Sequence, residues 1–162
     1  MRLYRITKAV WLEAFSGQTG VSFQHGARFN QPNTPVLYFS ETPAVAMLEM
    51  GNYLPSPQLL PASYRLGVYE LPDDVPQESI TLDMLPEDWH RYPFMPDVQA
   101  LGSRRLNAGQ SLVIWVPTST VKPFGSMRNA LINPLHPALS QLRLIEAIPD
   151  FYSHRLFNPV GH

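Results

Sequence analysis

The sequence contains no cysteine, which excludes disulfide bonds, thiolate metal ligands and a cysteine nucleophile. It also has no apolar run near the roughly 20 residues that span a bilayer, and its polar start is unlike a signal peptide. The 12 basic and 13 acidic residues give a net charge of −1, without the basic face that gripping nucleic acid requires. These absences predict a soluble, cytoplasmic protein that has no membrane partner and no direct nucleic-acid partner.

Several functional motifs are missing as well. The sequence has no P-loop, no G-x-G-x-x-G and no G-x-S-x-G, so the nucleoside triphosphate, Rossmann and α/β-hydrolase interpretations lose their usual support. His136, between two prolines, fits either a turn residue or a ligand contact. The other histidines lack the spacing of a metal site, so no metal is predicted: His25, His90, His154 and His162.

Proline, in contrast, is abundant. There are 17 prolines beside 9 glycines in 162 residues, about twice the average usage of roughly 5%. Each proline removes a backbone donor and disfavours helix at the preceding residue, so the regular elements must be short. The length suits one domain, and 44% hydrophobic residues can form a core. We therefore expect a single compact domain over residues 1–162.

The segments between the prolines predict mostly strands. A threonine N-cap, Thr42, followed by Pro43 marks the start of one helix, which runs through Glu49. A second helix is predicted over about 97–107, with Gly109 ending it. Many strands and few helices indicate an α+β fold with a strongly bent sheet. The predicted strands are 36–40, 64–71, 111–116, 128–133 and 142–148, of which 111–116 is almost continuously apolar.

Three residues stand out as candidates for chemistry. Arg28, in the segment GARFN, is either a surface arginine or a forked donor for a diphosphate or carboxylate. Tyr38, in the predicted strand VLYFS, either packs in the core or offers a flat surface to an aromatic ligand. Glu49 lies on an otherwise apolar helix, where a carboxylate either faces water at the edge or is held at a pocket.

A cluster of hydroxyls, Thr118, Ser119 and Thr120, follows the most apolar predicted strand and its closing Val-Pro. Hydroxyls at strand ends commonly cap turns, so this cluster is either structural or part of a site.

The order of these segments resembles the RES domain family, which is named for its Arg, Glu and Ser residues. Each motif is short, but their number and order extend over nearly the full length. The matching stretches are LYRI (3–6), GARFN (26–30), VLYFS (36–40), the helix 44–49, and the later segments 85–89, 111–117, 131–137 and 151–156.

The resemblance implies both a fold and a function. RES proteins are toxins of bacterial type II toxin–antitoxin systems, and their fold is similar to the NAD-binding core of ADP-ribosyltransferases such as diphtheria toxin. It implies NAD as the substrate, with no prosthetic group, and cleavage of the nicotinamide–ribose bond by hydrolysis or phosphorolysis. It also implies a hetero-oligomer with an Xre-type helix-turn-helix antitoxin that covers the active site. Two alternatives are ADP-ribosyl transfer to a macromolecule and a non-catalytic module that binds a DNA-binding partner.

The family pattern carries over to Arg28, Tyr38 and Glu49 as site residues. In the expected chemistry, Glu49 stabilises the ribose cation that forms as the nicotinamide bond breaks. Arg28 holds the phosphates or ribose of NAD, and Tyr38 stacks on nicotinamide or fixes its ribose.

The fourth site residue, a hydroxyl, departs from the family pattern. The position after Val-Pro is Thr118, where the family has serine, with Ser119 next and Ser126 further on. Ser119 is favoured as the catalytic hydroxyl because a turn easily absorbs a one-residue shift, and both Thr118 and Ser119 are expected to contact NAD. The segment 102–105 reads GSRR and lacks the acid that the family carries there.

Overall fold

The chain forms a seven-stranded sheet in the computed structural model, which describes residues 1–157. The strands lie side by side in the order β4-β5-β6-β2-β1-β3-β7. Every neighbouring pair is antiparallel apart from β4 and β5, which run parallel. The strands are β1 (Arg2–Lys8), β2 (Leu37–Ser40), β3 (Tyr64–Glu70), β4 (Gln77–Ser79), β5 (Val113–Pro117), β6 (Arg128–Ile132) and β7 (Arg143–Ile148).

Three α-helices accompany the sheet: α1 (Val21–His25), α2 (Pro43–Met50) and α3 (Pro96–Ala108). Helix α2 begins as its sequence predicts, because the Thr42 hydroxyl accepts a hydrogen bond from the backbone N–H of Val45 at 3.1 Å. Helix α3 ends at Gly109, whose left-handed φ of 66° suits a glycine C-cap. Within residues 1–157, no helix has the length and apolarity to cross a bilayer.

All five predicted strands and both predicted helices are present, with ends that differ by a few residues. Three elements were not predicted: β1, β4 and α1. Strand β1 (RLYRITK) has charged residues interspersed among its apolar ones, and β4 is three polar residues paired with β5. Because β4 is defined by its pairing, a local pattern carries little signal for it.

Side-chain alternation gives the sheet two faces with separate cores. One core, on what we call the first face, includes Phe39, Trp115 and Ile132. The other, on the second face, is built on Ile114, Val116 and Leu131, with Tyr38 packed against it. Residues of α3 and Trp89 cover this second core, including Val98 and Leu106.

The second face positions the polar residues of the site. Ser40 lies two residues after Tyr38 on β2, and the register pairs Ser40 with Asn129 and Tyr38 with Leu131 on β6. Thr118 follows the end of β5, two residues after Val116, and is fully buried. Helix α2 packs against β1 and β2, which brings its last turn, carrying Glu49, over Asn129 and Thr118.

Candidate functional site

Glu49 is held in one orientation by neutral donors. Its Oε1 accepts hydrogen bonds from Thr118 Oγ1 at 2.5 Å and from Asn129 Nδ2 at 2.7 Å. Its Oε2 accepts one from Asn52 Nδ2 at 3.2 Å, on the exposed side. Hydrogen bonds to an ionised acceptor are stronger than those between neutral groups. Of the two interpretations of this half-buried residue, the geometry therefore favours a carboxylate held at a site.

The structure brings one of the three candidate hydroxyls against Glu49, and it is that of Thr118. Its Oγ1 also bonds Thr120 Oγ1 at 2.8 Å and accepts from the Thr120 backbone N–H at 3.2 Å. Ser119 is half-buried, and its hydroxyl makes no hydrogen bond within residues 1–157. Ser126 is exposed, in a turn closed by its N–H to the carbonyl of Pro123. The catalytic role expected of Ser119 stays a prediction, and the hydroxyl that contacts Glu49 is that of Thr118.

Arg28 lies between α1 and β2 and reaches across to an irregular loop. Its Nη1 donates to the carbonyl oxygens of Trp89 at 2.9 Å and Arg91 at 3.0 Å. The guanidinium carbon lies 5.2 Å from the ring centroid of Phe94 and 5.8 Å from that of Trp89, both in the range of cation–π attraction. In the part of the chain that the structure describes, Nε and Nη2 make no hydrogen bond, which leaves two donors for a ligand.

The charge of Arg28 has two opposing influences. Partial burial lowers the pKa of its guanidinium, while the charge of Glu49 opposes that shift. An arginine remains protonated in proteins, so Arg28 supplies a permanent positive charge. Across residues 1–157 it forms no ion pair with Glu49. The two opposite charges therefore influence each other electrostatically without direct contact.

Tyr38 uses its hydroxyl inside the protein. The phenol donates to Asn30 Oδ1 at 2.7 Å and accepts from the backbone N–H of Phe29 at 3.2 Å. Burial raises the pKa of Tyr38, so the phenol stays neutral. Asn30 is itself fully buried and donates to the carbonyl of Ser22 at 2.8 Å. Tyr38 therefore braces the turn that carries Arg28, and its ring is the part left for a ligand.

Helix α3 braces the same turn from the other side. Gln99 Nε2 donates to the carbonyl of Ala27 at 2.9 Å, and Ser103 Oγ accepts from the N–H of Gln31 at 2.8 Å. A Cβ at Gly102 would lie 1.9 Å from the carbonyl oxygen of Phe29, so only glycine allows this approach. The segment 102–105 lacks the family's acid, yet it supports Arg28 through Gly102 and Ser103.

The charges of Glu49 and Arg28 also act on the pKa of Tyr53, although its side chain is 78% exposed. Desolvation raises the pKa of Tyr53, the charge of Glu49 raises it further, and Arg28 opposes the shift. Sequence reasoning did not select Tyr53, Asn129 or Asn30. Tyr53 lies in a turn after the end of α2, so no helical spacing from Glu49 indicates it. Asn30 belongs to the segment GARFN, whose order could have indicated it, whereas Asn129 depends on contacts distant in sequence.

His136 and His90 take structural positions. His136 Nδ1 accepts the backbone N–H of Ala138 at 3.1 Å, which favours the turn over the ligand contact. His90 packs against Phe124. Among residues 1–157, no group of three or more His, Asp or Glu side chains could hold a metal ion. His162 lies outside the described residues.

Comparisons with known proteins find a family, a sequence relative and a similar fold. The model of the RES domain family matches residues 2–153. Toxin Res of Pseudomonas putida strain KT2440 is 32% identical over 152 residues, which cover 93% of this chain and 95% of that protein. The crystal structure of the M. tuberculosis MbcT–MbcA toxin–antitoxin complex contains a similar chain, with a TM-score of 0.67 at 19% identity. The match covers 91% of this chain and 82% of that one.

Fold and site together define a class: an α+β protein with a mostly antiparallel sheet, a hydrogen-bonded glutamate, and an arginine that forms no ion pair within residues 1–157. The chain belongs to the RES domain family of toxins. The predicted family and the predicted fold class are confirmed.

Proposed function

We propose that this RES-domain protein degrades NAD by breaking the bond between nicotinamide and ribose, as the toxin of a type II toxin–antitoxin system. One observation carries the proposal. Glu49 Oε1 accepts hydrogen bonds from Thr118 and Asn129. The charge of Glu49 affects the pKa of Arg28, and Nε and Nη2 of Arg28 make no hydrogen bond within residues 1–157. A preorganised carboxylate beside an unneutralised cation suits a substrate that develops positive charge at one atom and carries phosphates at another.

Glu49 would act on the ribose. When the glycosidic bond breaks, its electron pair moves to the nicotinamide nitrogen and neutralises the pyridinium. The ribose carbon then carries oxocarbenium character, which a nearby carboxylate stabilises. Water or phosphate adds to that carbon and loses a proton, giving ADP-ribose or its 1-phosphate. Neutral donors on Oε1 hold Glu49 in place and leave its negative charge available for this step.

Arg28 would bind the diphosphate. Its free Nε and Nη2 fit two phosphate oxygens, while Nη1 stays on the carbonyls of Trp89 and Arg91. The ring of Tyr38 would pack against nicotinamide or its ribose, because the phenol hydroxyl is already engaged. Thr118 would orient Glu49, and Ser119, the next residue, is the hydroxyl free to reach NAD.

The partner is proposed to be an Xre-type helix-turn-helix antitoxin that forms a hetero-oligomer with this chain. The structural relative was crystallised as a toxin–antitoxin complex, and the curated relative is a toxin. A net charge of −1 argues against a broad electrostatic grip on DNA by this chain, so DNA contact would come from the antitoxin. If a neighbouring gene encodes a small helix-turn-helix protein, co-expression of the two chains followed by co-purification tests this assignment, and the lack of such a gene or of a stable complex would contradict it.

NAD consumption tests the activity directly. Protein from cell-free synthesis is incubated with NAD, with and without phosphate, and the products are separated by chromatography. We expect free ADP-ribose without phosphate or its 1-phosphate with phosphate, and a Glu49→Gln variant that is inactive on the same timescale. Label retained on a macromolecule would instead indicate ADP-ribosyl transfer. NAD binding without consumption by the wild-type protein would indicate a binding module.

A further inference from the structure

We propose that Asn129 is a positioning residue for Glu49, and that the Ser40–Asn129 pair determines which carboxylate oxygen faces the substrate. The proposal rests on the proposed function, because it assigns the reacting oxygen of Glu49. Neither Asn129 nor Ser40 is among the site residues predicted from the sequence.

The pair is a direct cross-strand contact between two neighbouring strands. Ser40 on β2 lies opposite Asn129 on β6 in the antiparallel register. Ser40 Oγ donates to Asn129 Oδ1 at 2.9 Å, and the Nδ2 of the same amide donates to Glu49 Oε1 at 2.7 Å. Reversing the amide would set Oδ1 against a carboxylate oxygen, acceptor against acceptor, so the carboxylate itself selects the amide orientation. The hydrogen bond from buried Ser40 to Oδ1 then holds the amide in place, with its donor toward Glu49.

The two oxygens of Glu49 consequently differ. Oε1 receives two short bonds, from Thr118 and Asn129, whereas Oε2 receives one longer bond from exposed Asn52. A ligand displaces a long, exposed hydrogen bond more easily than two short, partly buried ones. The geometry thus assigns Oε2 to the ribose cation and Oε1 to anchoring.

Asn129 suits this role because it donates without carrying a charge. The ionisable groups that act electrostatically around Glu49 are Arg28, Tyr38 and Tyr53. A lysine or arginine at position 129 would pair with the carboxylate and cancel the charge that the reaction needs. An amide fixes the orientation and preserves that charge.

Three variants and one control test the proposal. Asn129→Ala removes the donor, and Asn129→Asp replaces it by a second carboxylate of nearly the same shape. Ser40→Ala removes the hydrogen bond that holds the amide in place. The control, Gln77→Ala, removes another side-chain hydrogen bond between neighbouring strands, that of Trp115 Nε1 to Gln77 Oε1 at 2.8 Å, on the first face.

We expect Asn129→Ala to lower kcat for NAD about 10- to 100-fold with little change in KM, and Ser40→Ala to lower it by a smaller factor. Asn129→Asp should lower kcat at least as much as Asn129→Ala, because it sets an acceptor in place of the donor to Glu49. Gln77→Ala should keep kcat within about twofold and KM unchanged. Equal kcat values per folded molecule for wild type, Asn129→Ala and Gln77→Ala would overturn the proposal.

A measurement without NAD separates this proposal from the proposed function. In protein with ¹³C-labelled glutamate, the Glu49 side-chain carboxyl resonance is recorded and assigned through its loss in Glu49→Gln. Its chemical shift should change in Asn129→Ala, which removes a hydrogen bond to Oε1, and stay in place in Gln77→Ala. An unchanged resonance in Asn129→Ala overturns the positioning role. Failure of the wild type to consume NAD overturns the proposed function, whatever the resonance does.

Discussion

Glu49 and Arg28, the two charged residues of the candidate site, are supported in different ways. Glu49 is held by side chains from the sheet, Asn129 on β6 and Thr118 just after β5. Arg28 sits on an irregular turn, and its contacts are backbone carbonyls of the loop at Trp89 and Arg91. Rigid strands fix an orientation closely, whereas a turn depends on whatever packs behind it. The orientation of Glu49 should therefore respond to changes in its hydrogen bonds, and the position of Arg28 to changes in the packing behind its turn.

The largest effect should come from removing the charge of Glu49, which is held by side chains of the sheet. Glu49→Gln keeps the shape of the side chain but can no longer stabilise a cation, so we expect kcat for NAD to fall by about 10²- to 10³-fold. Stability should change little, because the residue is only half-buried. Initial rates of NAD loss and a thermal melt measure both. Glu146→Gln, an exposed glutamate on β7, is the matched control and should retain full activity.

The next largest effect should come from the arginine itself. Arg28→Ala removes both free donors and the permanent charge, which we expect to raise KM for NAD about 10- to 100-fold, since hydrogen bonds to charged groups contribute about 1.5–3 kcal/mol. Arg28→Lys should recover only part of the loss, because lysine lacks the fork. Steady-state kinetics across NAD concentrations check this. A variant that loses kcat alone would contradict a binding role.

The packing behind the arginine offers a change outside the site. In Gly102→Ala the new methyl would meet the carbonyl of Phe29, so α3 and the Arg28 turn must separate. We expect a loss of about 1–3 kcal/mol in the free energy of unfolding and a raised KM for NAD. Urea unfolding and steady-state kinetics measure these effects. Gly20→Ala, where the nearest atom to a new Cβ is 3.8 Å away, should show neither.

The smallest effect should separate the two adjacent hydroxyls. Thr118→Val removes a donor to Glu49 and should lower kcat about tenfold, whereas Thr118→Ser keeps the donor and should restore most of the activity. Ser119→Ala leaves the carboxylate contacts intact and is expected to cost less. The three kcat values are compared directly. A larger loss in Ser119→Ala would favour Ser119 as the catalytic hydroxyl.

Local signals predicted much of the fold. The buried strand β5 follows from its apolar run, and α2 follows from Thr42 and Pro43, whose N-cap hydrogen bond is present. Strand β4 was not predicted, because its three polar residues form a strand only by pairing with β5. A pairing of this kind depends on segments distant in sequence, and a local pattern does not encode it.

The candidate site shows the same difference between residues that local order predicts and residues that depend on contacts distant in sequence. Arg28, Tyr38 and Glu49 were identified by their order in a family pattern. Asn129 was missed because its importance lies in the register that sets it opposite Ser40 and below Glu49. The choice between Thr118 and Ser119 also depends on tertiary contact, since adjacent hydroxyls are equivalent in composition but only Thr118 reaches the carboxylate.

By itself, the sequence determined the family, the α+β class, the absence of thiol chemistry and three candidate residues for the site, because each depends on residue type or local order. The tertiary structure alone decided which neutral groups hold Glu49, which of its oxygens has the longer, more exposed hydrogen bond and how Gly102 supports Arg28. These are properties of strand register and close packing, which arise only when distant segments meet.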